Sequence, residues 1–282
     1  MAKKIKNDNG LNEEYYNNSE NPQLIDDYFL NFWPEFFPIN ILSIFVGIAI
    51  SIINFFYAIY FDIKYPKKNI IKKRYFMKNG VYDGLFNEWY ENGQLKWDVN
   101  YKSGNMVSPS KEYYDNGNIK MEGSCKEGSN IPHGITKAFY KDGGLKGVTT
   151  NKDGIQHGLH QEYFELIGGV SSLEVEGQYK DGGKDGIWKV YYDSGKLQEE
   201  QVWKDGKKNG PFKAFAKDGQ TLEGEGNYKN DLQHGPQKSW HENGQIEFDC
   251  SFHYGETDGL FRQFDEEGQL VKEANFKKGE EI

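Results

Sequence analysis

The sequence predicts an all-β fold, namely an elongated, twisted antiparallel sheet of about eight repeated β-hairpins, preceded by one transmembrane α-helix. Three observations predict it. Of the 282 residues, 33 are glycine and 16% are aromatic, a composition typical of short strands joined by tight turns. A pattern of about 25 residues recurs from residue 76 to residue 282, which indicates a repeat array. A long apolar run near the N-terminus predicts the helix.

The apolar run divides the chain into an acidic tail (1–38), the helix (39–61), a basic juxtamembrane linker (62–75) and the repeat domain (76–282). Residues 39–61 carry no charge and would form a helix of roughly 34 Å, enough to cross a hydrocarbon core of about 30 Å. A buried helix of a soluble domain is the first alternative, although a run this long and uncharged is unusual there. A cleaved signal peptide is the second, and the long acidic segment before the run argues against it.

The basic residues around the run predict its orientation. Between residues 7 and 38 there is no Lys or Arg. Six follow the run directly: Lys64, Lys67, Lys68, Lys72, Lys73 and Arg74. Because Lys and Arg are retained on the cytoplasmic side, a single-pass membrane protein is expected, with its tail outside and its repeat domain in the cytoplasm.

Each repeat unit begins at an opening position, and these positions are Gly84, Ser108, Gly134, Gly158, Gly186, Gly210, Gly235 and Gly259. We number them as units one to eight. Nine residues later most units have a second glycine, as in Asn92-Gly93, which predicts a type I′ hairpin turn. The glycines predicted to form turns are Gly84, Gly93, Gly117, Gly134, Gly143, Gly158, Gly186, Gly195, Gly210, Gly219, Gly235, Gly244, Gly259 and Gly268.

The strands of the hairpins have distinct sequence patterns. In the second strand of unit one, Leu95, Trp97, Val99 and Tyr101 alternate with polar residues, which is typical of a half-buried strand. An aromatic residue stands five positions after every opening position: Trp89, Tyr113, Phe139, Tyr163, Tyr191, Phe215, Trp240 and Phe264. We expect these residues to stack as a buried aromatic ladder with a structural role.

Two units depart from the repeat pattern. In unit two, Ser108-Pro109 replaces the opening glycine, which predicts an irregular opening turn. Unit four carries an insertion around Ile167, Gly168 and Gly169, which predicts a longer hairpin loop.

Catalytic, metal-binding and cofactor-binding residues are not predicted. His133, His157 and His234 precede opening glycines in equivalent turns, and Cys125 and Cys250 are far apart, so neither residue type has the spacing of a metal site.

The net charge is −9 overall and −10 over residues 75–282. An acidic body repels phosphate backbones, so nucleic acid is not an expected partner. An enzyme is the least favoured class, because identical units cannot assemble one asymmetric site.

The segments Gly186–Glu200 and Gly84–Leu95 resemble the MORN repeat variant of bacterial proteins labelled YwqK-type antitoxins. The resemblance spans residues 76–282 and implies an elongated array of β-hairpins that acts as a protein-interaction or membrane-associated module. The antitoxin label implies a protein partner, a cognate toxin neutralised by direct contact. We therefore expect a membrane-anchored interaction module, with an antitoxin or immunity role as its most specific form. The alternative is a scaffold whose array lies on the bilayer, which the acidic charge opposes.

Overall fold

The computed structural model describes residues 10–15, 71–165 and 171–282, and their strands form one antiparallel sheet. The strands are β1 Gly10–Tyr15, β2 Ile71–Lys78, β3 Val81–Trp89, β4 Leu95–Lys102, β5 Asn105–Tyr113, β6 Ile119–Gly123, β7 Gly134–Phe139, β8 Leu145–Lys152, β9 Ile155–Glu165, β10 Ser171–Lys180, β11 Gly183–Tyr191, β12 Leu197–Lys204, β13 Lys207–Phe215, β14 Leu222–Lys229, β15 Leu232–Gln233, β16 Gly235–Trp240, β17 Ile246–His253, β18 Glu256–Thr257, β19 Gly259–Phe264, β20 Leu270–Lys277 and β21 Glu280–Glu281.

Each long strand pairs with the next long strand along the chain, from β1 to β20. The two-residue strands β15, β18 and β21 pair with the ends of β14, β17 and β20. The predicted all-β architecture of serial hairpins is confirmed. Because the described strands form a single layer, few side chains are buried.

The predicted membrane helix (39–61) lies outside the described residues, as do Lys64, Lys67 and Lys68. Within the three described ranges, no helix has the length and apolar character needed to cross a membrane. The insertion predicted around Ile167 also lies outside them, between the paired residues Glu165 and Ser171.

The sheet begins earlier than residue 76, because β2 includes Lys72, Lys73 and Arg74. These three residues therefore belong to a strand, whereas the sequence places them in a linker. The physical reason is the availability of carboxylate partners. Lys73 Nζ lies 3.5 Å from Glu88 Oε2, and Arg74 Nε lies 2.8 Å from Glu13 Oε1.

Strand β1 covers the edge of β2 in antiparallel register. Strand β1 precedes the predicted membrane helix and β2 follows it, so the pairing brings Tyr15 and Ile71 together.

The first turns of seven hairpins are described, and they differ from the predicted type. Gly93 N donates to Tyr90 O at 2.9 Å, and Tyr90 N donates to Gln94 O at 2.8 Å. Gly93 is left-handed (φ 84°), but Asn92 is not among the residues with positive φ. A type I′ turn needs positive φ at both central residues, so the prediction is wrong, and the loop is a type I turn followed by a left-handed glycine. Type I′ geometry occurs at the other end of the hairpins, for example at Asn79-Gly80 (φ 52° and 75°).

All fourteen glycines predicted to form turns have positive φ. The opening glycines lie at β-bulges instead of tight turns. In unit five, Lys189 pairs with Glu176 and Asp185 pairs with Gln178, so three residues oppose one. In unit two the register from Lys111 to Val107 shows the same bulge. The irregularity expected at Ser108 is therefore shared by the other units.

The bulges and strand alternation give the sheet two different faces. The aromatic face carries the residue two positions after each opening position, including Phe86, Trp188, Phe212 and Phe261. Between these large side chains lie small or buried residues of the second strands, such as Val99, Gly177, Gly226 and Ala274. A Cβ atom at Gly177 would overlap the Trp188 ring. This alternation of large and small residues is how a single layer buries apolar surface.

The opposite face, the charged face, carries a row of directly paired residues, which we call the charge row. It takes one residue from every strand longer than two residues: Glu13, Arg74, Asn87, Asp98, Lys111, Glu122, Lys137, Val148, Gln161, Glu176, Lys189, Glu200, Lys213, Glu225, Lys238, Asp249, Arg262 and Glu273. Its charged members alternate in sign. A register slip by one residue would move a strand's member to the other face, so the row favours one register.

Successive units are also joined by side chains at the edge of the first turns. The hydroxyl of Tyr114 donates to Phe139 O at 2.9 Å, and Tyr90, Tyr140 and Tyr192 make the same bond to the next unit. His241 Nε2 lies 2.9 Å from Phe264 O in the equivalent place. Units four and six have Phe164 and Ala216 at this position, and neither side chain has a polar group. The hydroxyl bonds therefore couple most units to their neighbours.

The Tyr114→Phe substitution should remove one inter-unit hydrogen bond. We expect the free energy of unfolding to fall by about 1 kcal/mol, because the Phe139 carbonyl loses a donor in a half-buried place. Amide exchange should accelerate mainly in units two and three, since repeats couple to their neighbours. Tyr228→Phe is the matched control, because no bond of its hydroxyl is seen within the described ranges. Equal effects of the two substitutions would contradict the role of this bond.

The Glu200→Lys substitution should place three lysines side by side in the charge row, with Lys189 and Lys213. We expect a loss of about 0.5–2 kcal/mol from two like-charged cross-strand contacts. Glu200→Gln should cost less, and the difference between the two variants should shrink at high salt, since salt screens exposed charges. Denaturant unfolding at low and high salt measures this. A difference unaffected by salt would show that the row does not act through charge.

Candidate interaction surface

The predicted aromatic ladder lies on the charged face, and all eight of its residues are half-buried. The Arg74 guanidinium lies 5.8 Å from the centre of the Trp89 ring, and the Tyr163 hydroxyl donates to Gln161 Oε1 at 3.1 Å. The ladder thus borders the charge row. The most buried row is on the aromatic face instead, where Trp188 is 4% exposed. The eight side chains are thus less buried than the sequence pattern predicts.

Tyr191 makes the strongest contact between the ladder and the charge row. Its hydroxyl donates to Glu176 Oε1 at 2.7 Å. Burial, and then the hydrogen bond to the Glu176 carboxylate, raise the pKa of Tyr191 to about 12. The phenol therefore remains a neutral donor at physiological pH and holds the ladder against the row.

Exposed aliphatic side chains form a second feature of the charged face, which we call the aliphatic band. They stand three positions before or one position after an opening position: Val81, Leu85, Ile131, Ile135, Ile155, Leu159, Ile187, Leu232 and Leu260. Their exposed fractions lie between 37% and 55%. Isolated exposed aliphatics are ordinary, but these recur in six of the eight units and on one face of the sheet, and a contiguous exposed apolar patch is typical of an interaction site.

The band is most continuous in units three and four. Ile131 lies over Gly154 of the next turn, with its Cγ2 3.2 Å from the place where a Cβ would stand. Ile155 lies in the same way over Gly182, at 3.3 Å. One residue past the bulges, Ile135 and Leu159 are 55% and 42% exposed. Together these side chains offer an apolar strip beside the charge row.

Sequence reasoning missed this band, although a signal for it exists. The signal is the type of residue that stands directly after each opening position. In five units it is Leu or Ile, and in the other three it is Pro: Leu85, Ile135, Leu159, Ile187 and Leu260, then Pro109, Pro211 and Pro236. Its restriction to apolar residues, two positions before the mostly polar members of the charge row, is the sequence signal for the band.

The histidines and cysteines have structural surroundings. His133 Nδ1 accepts from Asp153 N at 3.3 Å, and His157 and His234 accept from the equivalent turns. Burial raises the pKa of the Cys125 and Cys250 thiols, which disfavours the nucleophilic thiolate. In the described ranges no three His, Cys, Asp or Glu side chains are grouped so that they could hold a metal ion.

The raised pKa of Tyr191 links stability to pH. The folded-state pKa of about 12 lies above the ordinary 10.0, so the stabilisation is complete below pH 10 and is lost as the pH rises towards 12. We expect Tyr191→Phe to flatten this part of the stability curve. Glu176→Gln should lower the pKa of Tyr191, as followed by the ultraviolet absorbance of tyrosinate. An unchanged titration in Glu176→Gln would contradict the assignment, with Glu174→Gln as the control.

Comparison with known proteins agrees with the repeat geometry. Five segments of the chain match the MORN repeat variant family: residues 82–103, 107–126, 184–205, 233–254 and 257–278. No curated protein matches the chain. The matched segments are units one, two, five, seven and eight, and each contains the bulge, the first turn and the second strand described above. Units three, four and six have the same antiparallel hairpin pairing. Five of the eight units are thus similar to MORN repeat variants, and the other three have the same hairpin pairing in one continuous sheet.

Proposed function

We propose that this protein is a membrane-associated interaction module that binds a protein toxin and neutralises it, as an antitoxin or immunity protein does. MORN repeats suggest a protein-interaction or membrane-associated module. The observation that carries the proposal is the aliphatic band, which offers apolar contact area along several units. Such area is characteristic of a protein docking surface.

The charge of the sheet specifies the partner further. Residues 75–282 carry a net charge of −10, and the charge row uses its bases to pair its own acids. The uncompensated acids therefore remain for a partner. A toxin with an apolar strip bordered by Lys and Arg side chains complements this surface in both respects.

Membrane association is proposed from the uncharged apolar segment 39–61. The pairing of β1 with β2 adds a requirement, because Tyr15 and Ile71 must then lie on the same side of the membrane. We propose that the segment attaches the sheet to a membrane while the acidic tail and the sheet stay on one side.

This proposal predicts that both ends of the chain report the same compartment. A reporter that is active only in the cytoplasm should give the same signal when fused before Met1 or after Ile282. Replacing Asn12 by Pro should weaken the β1 to β2 pairing, since Asn12 is 1% exposed between its neighbours. Opposite signals from the two fusions of the unmodified chain would contradict the shared compartment and restore the single crossing.

Toxin neutralisation is tested with the protein encoded by a toxic reading frame adjacent to the gene of this protein. Its expression alone should stop growth, and co-expression of this protein should restore it. The double substitution Ile135→Glu and Ile155→Glu should abolish the rescue by placing charge in the band. Ile282→Glu is the control, because Ile282 is 79% exposed and lies outside the band. No rescue by the unmodified protein would refute the antitoxin role, and rescue by the double variant would refute the band as the contact.

The second candidate function is a scaffold that lies on the bilayer, and the same exposed aliphatic side chains favour it. The two functions differ in whether the aliphatic band enters the bilayer. Vesicle binding of the full chain should be unaffected by the double substitution if the band serves a protein, and should fall if the band enters the bilayer. The net charge of −10 over residues 75–282 predicts weaker binding to anionic than to neutral vesicles.

A further inference from the structure

Strand β20 forms an edge of the sheet. It pairs with β19 along its whole length on one side. On the other side, within the described ranges, only its last residues are bonded: Phe276 and Lys277 pair with β21, and Asn275 O accepts from Ile282 N at 2.9 Å. Leu270 and Val271 are 52% and 61% exposed. The outer side of residues 270–274 is therefore an open edge.

The interior of the sheet shows what this kind of strand normally pairs with. In the other seven units, the second strand also begins with an aliphatic residue equivalent to Leu270. These residues are only half-exposed, because the next strand along the chain lies beside them. These residues are Leu95, Ile119, Leu145, Leu173, Leu197, Leu222 and Ile246. The same side of the equivalent strand β17 is taken by β19, with Asp249 opposite Arg262. The edge of β20 thus has the form of an interior strand without its second neighbour.

The charge row ends on this edge. In six places an acid of a second strand faces a Lys or Arg of the next first strand, as Asp98 faces Lys111 and Glu225 faces Lys238. Glu273 has its base on the β19 side, where Arg262 Nε lies 3.0 Å from Glu273 Oε2. On the open side, the alternation of sign in the charge row predicts a Lys or Arg opposite Glu273.

The other end of the row argues against a second copy of this chain as the occupant. Strand β1 ends the row with Glu13. Joining the β1 edge of one copy to the β20 edge of another in row register would place Glu13 opposite Glu273. Like charges directly opposite one another destabilise a strand pair, so the row disfavours growth of the sheet by self-association.

We propose that the open edge of β20 binds an extended segment of a partner protein by antiparallel strand addition, and that this segment carries Lys or Arg opposite Glu273 with an aromatic residue beside it. Main-chain hydrogen bonds would supply affinity, and the charge row would supply register. The surface is separate from the aliphatic band, so this inference is independent of the function proposed above.

The aromatic residue of the partner motif follows from the aromatic face. Three of the four first strands with a Phe or Trp at this place have the base directly after it: Trp188-Lys189, Phe212-Lys213 and Phe261-Arg262. The fourth, in unit one, has Phe86-Asn87. A small residue in the interior of the sheet is covered by side chains from both neighbouring strands. At Gly226, for example, a Cβ atom would stand 2.9 Å from Phe212 and 3.0 Å from Gln237. Ala274 is the small residue at the edge and has Phe261 on one side only. An aromatic residue on the partner strand would cover Ala274 from its open side and so continue the alternation of large and small residues on the aromatic face.

The test uses a synthetic peptide with the sequence of residues 207–215, which contains Phe212 and Lys213. It is added to the full-length chain in a mild detergent. Hydrogen exchange should slow at the amides of residues 270–274, and a peptide with Lys213→Glu should bind up to about fivefold more weakly, the size of one cross-strand charge pair. In a Glu273→Lys chain the preference should reverse in favour of the Glu peptide.

Several results would overturn the proposal. One is unchanged exchange at residues 270–274 with peptide present, a measurement on the unmodified chain that does not depend on the folding of any variant. Another is equal binding of the two peptides to both chains. Protection of residues 10–15 instead would place the occupant on the β1 edge. Protection of residues 270–274 without peptide, together with a dimer by light scattering, would identify a second copy as the occupant.

Discussion

Cross-strand pairing is the interaction on which the whole structure depends. In a layered domain a strand is also held by a second layer, but the strands described here have only their neighbours in one sheet. The small buried set, including Tyr75, Val99 and Trp188, is created by large rings lying over small residues of the next strand. Register therefore decides burial, since a slip of one residue would remove the rings from their places. The charge row on the opposite face enforces that register.

The features that sequence analysis predicted are those that recur locally. The repeat, the hairpins and the glycines with positive φ follow from patterns within about ten residues. The charge row was missed because its partners are distant in sequence, as Lys111 is from Asp98 and Glu122, and because each member reads alone as an ordinary surface charge. The turn type was wrong because the Asn92-Gly93 dipeptide does not reveal the length of its loop.

The start of the sheet and the candidate surface were hidden for different reasons. Strand β2 contains the buried Tyr75 and ends in Lys78, as the second strands of most units end in Lys. Its basic residues, however, are equally typical of the segment that flanks a membrane helix. Its partner β1 is a single strand without a repeat, so no periodicity indicates it. The aliphatic band depends on a bulge that turns Leu85 and Ile135 outwards, and only the register shows that they share one face with the charge row. The charged face therefore carries both the charge row, which favours one register, and the exposed aliphatic band.

The joints between units are not equally strong at the edge of the first turns. Most have a Tyr hydroxyl bond, and after unit four Ser172 Oγ donates to Asp193 O at 3.1 Å in its place. After unit six, Ala216 offers no such bond. Force applied across the edge of the first turns is carried by every joint in series. The Ala216 joint, which has no such side-chain bond, would open first at this edge, so that units seven and eight separate from the units nearer the N-terminus.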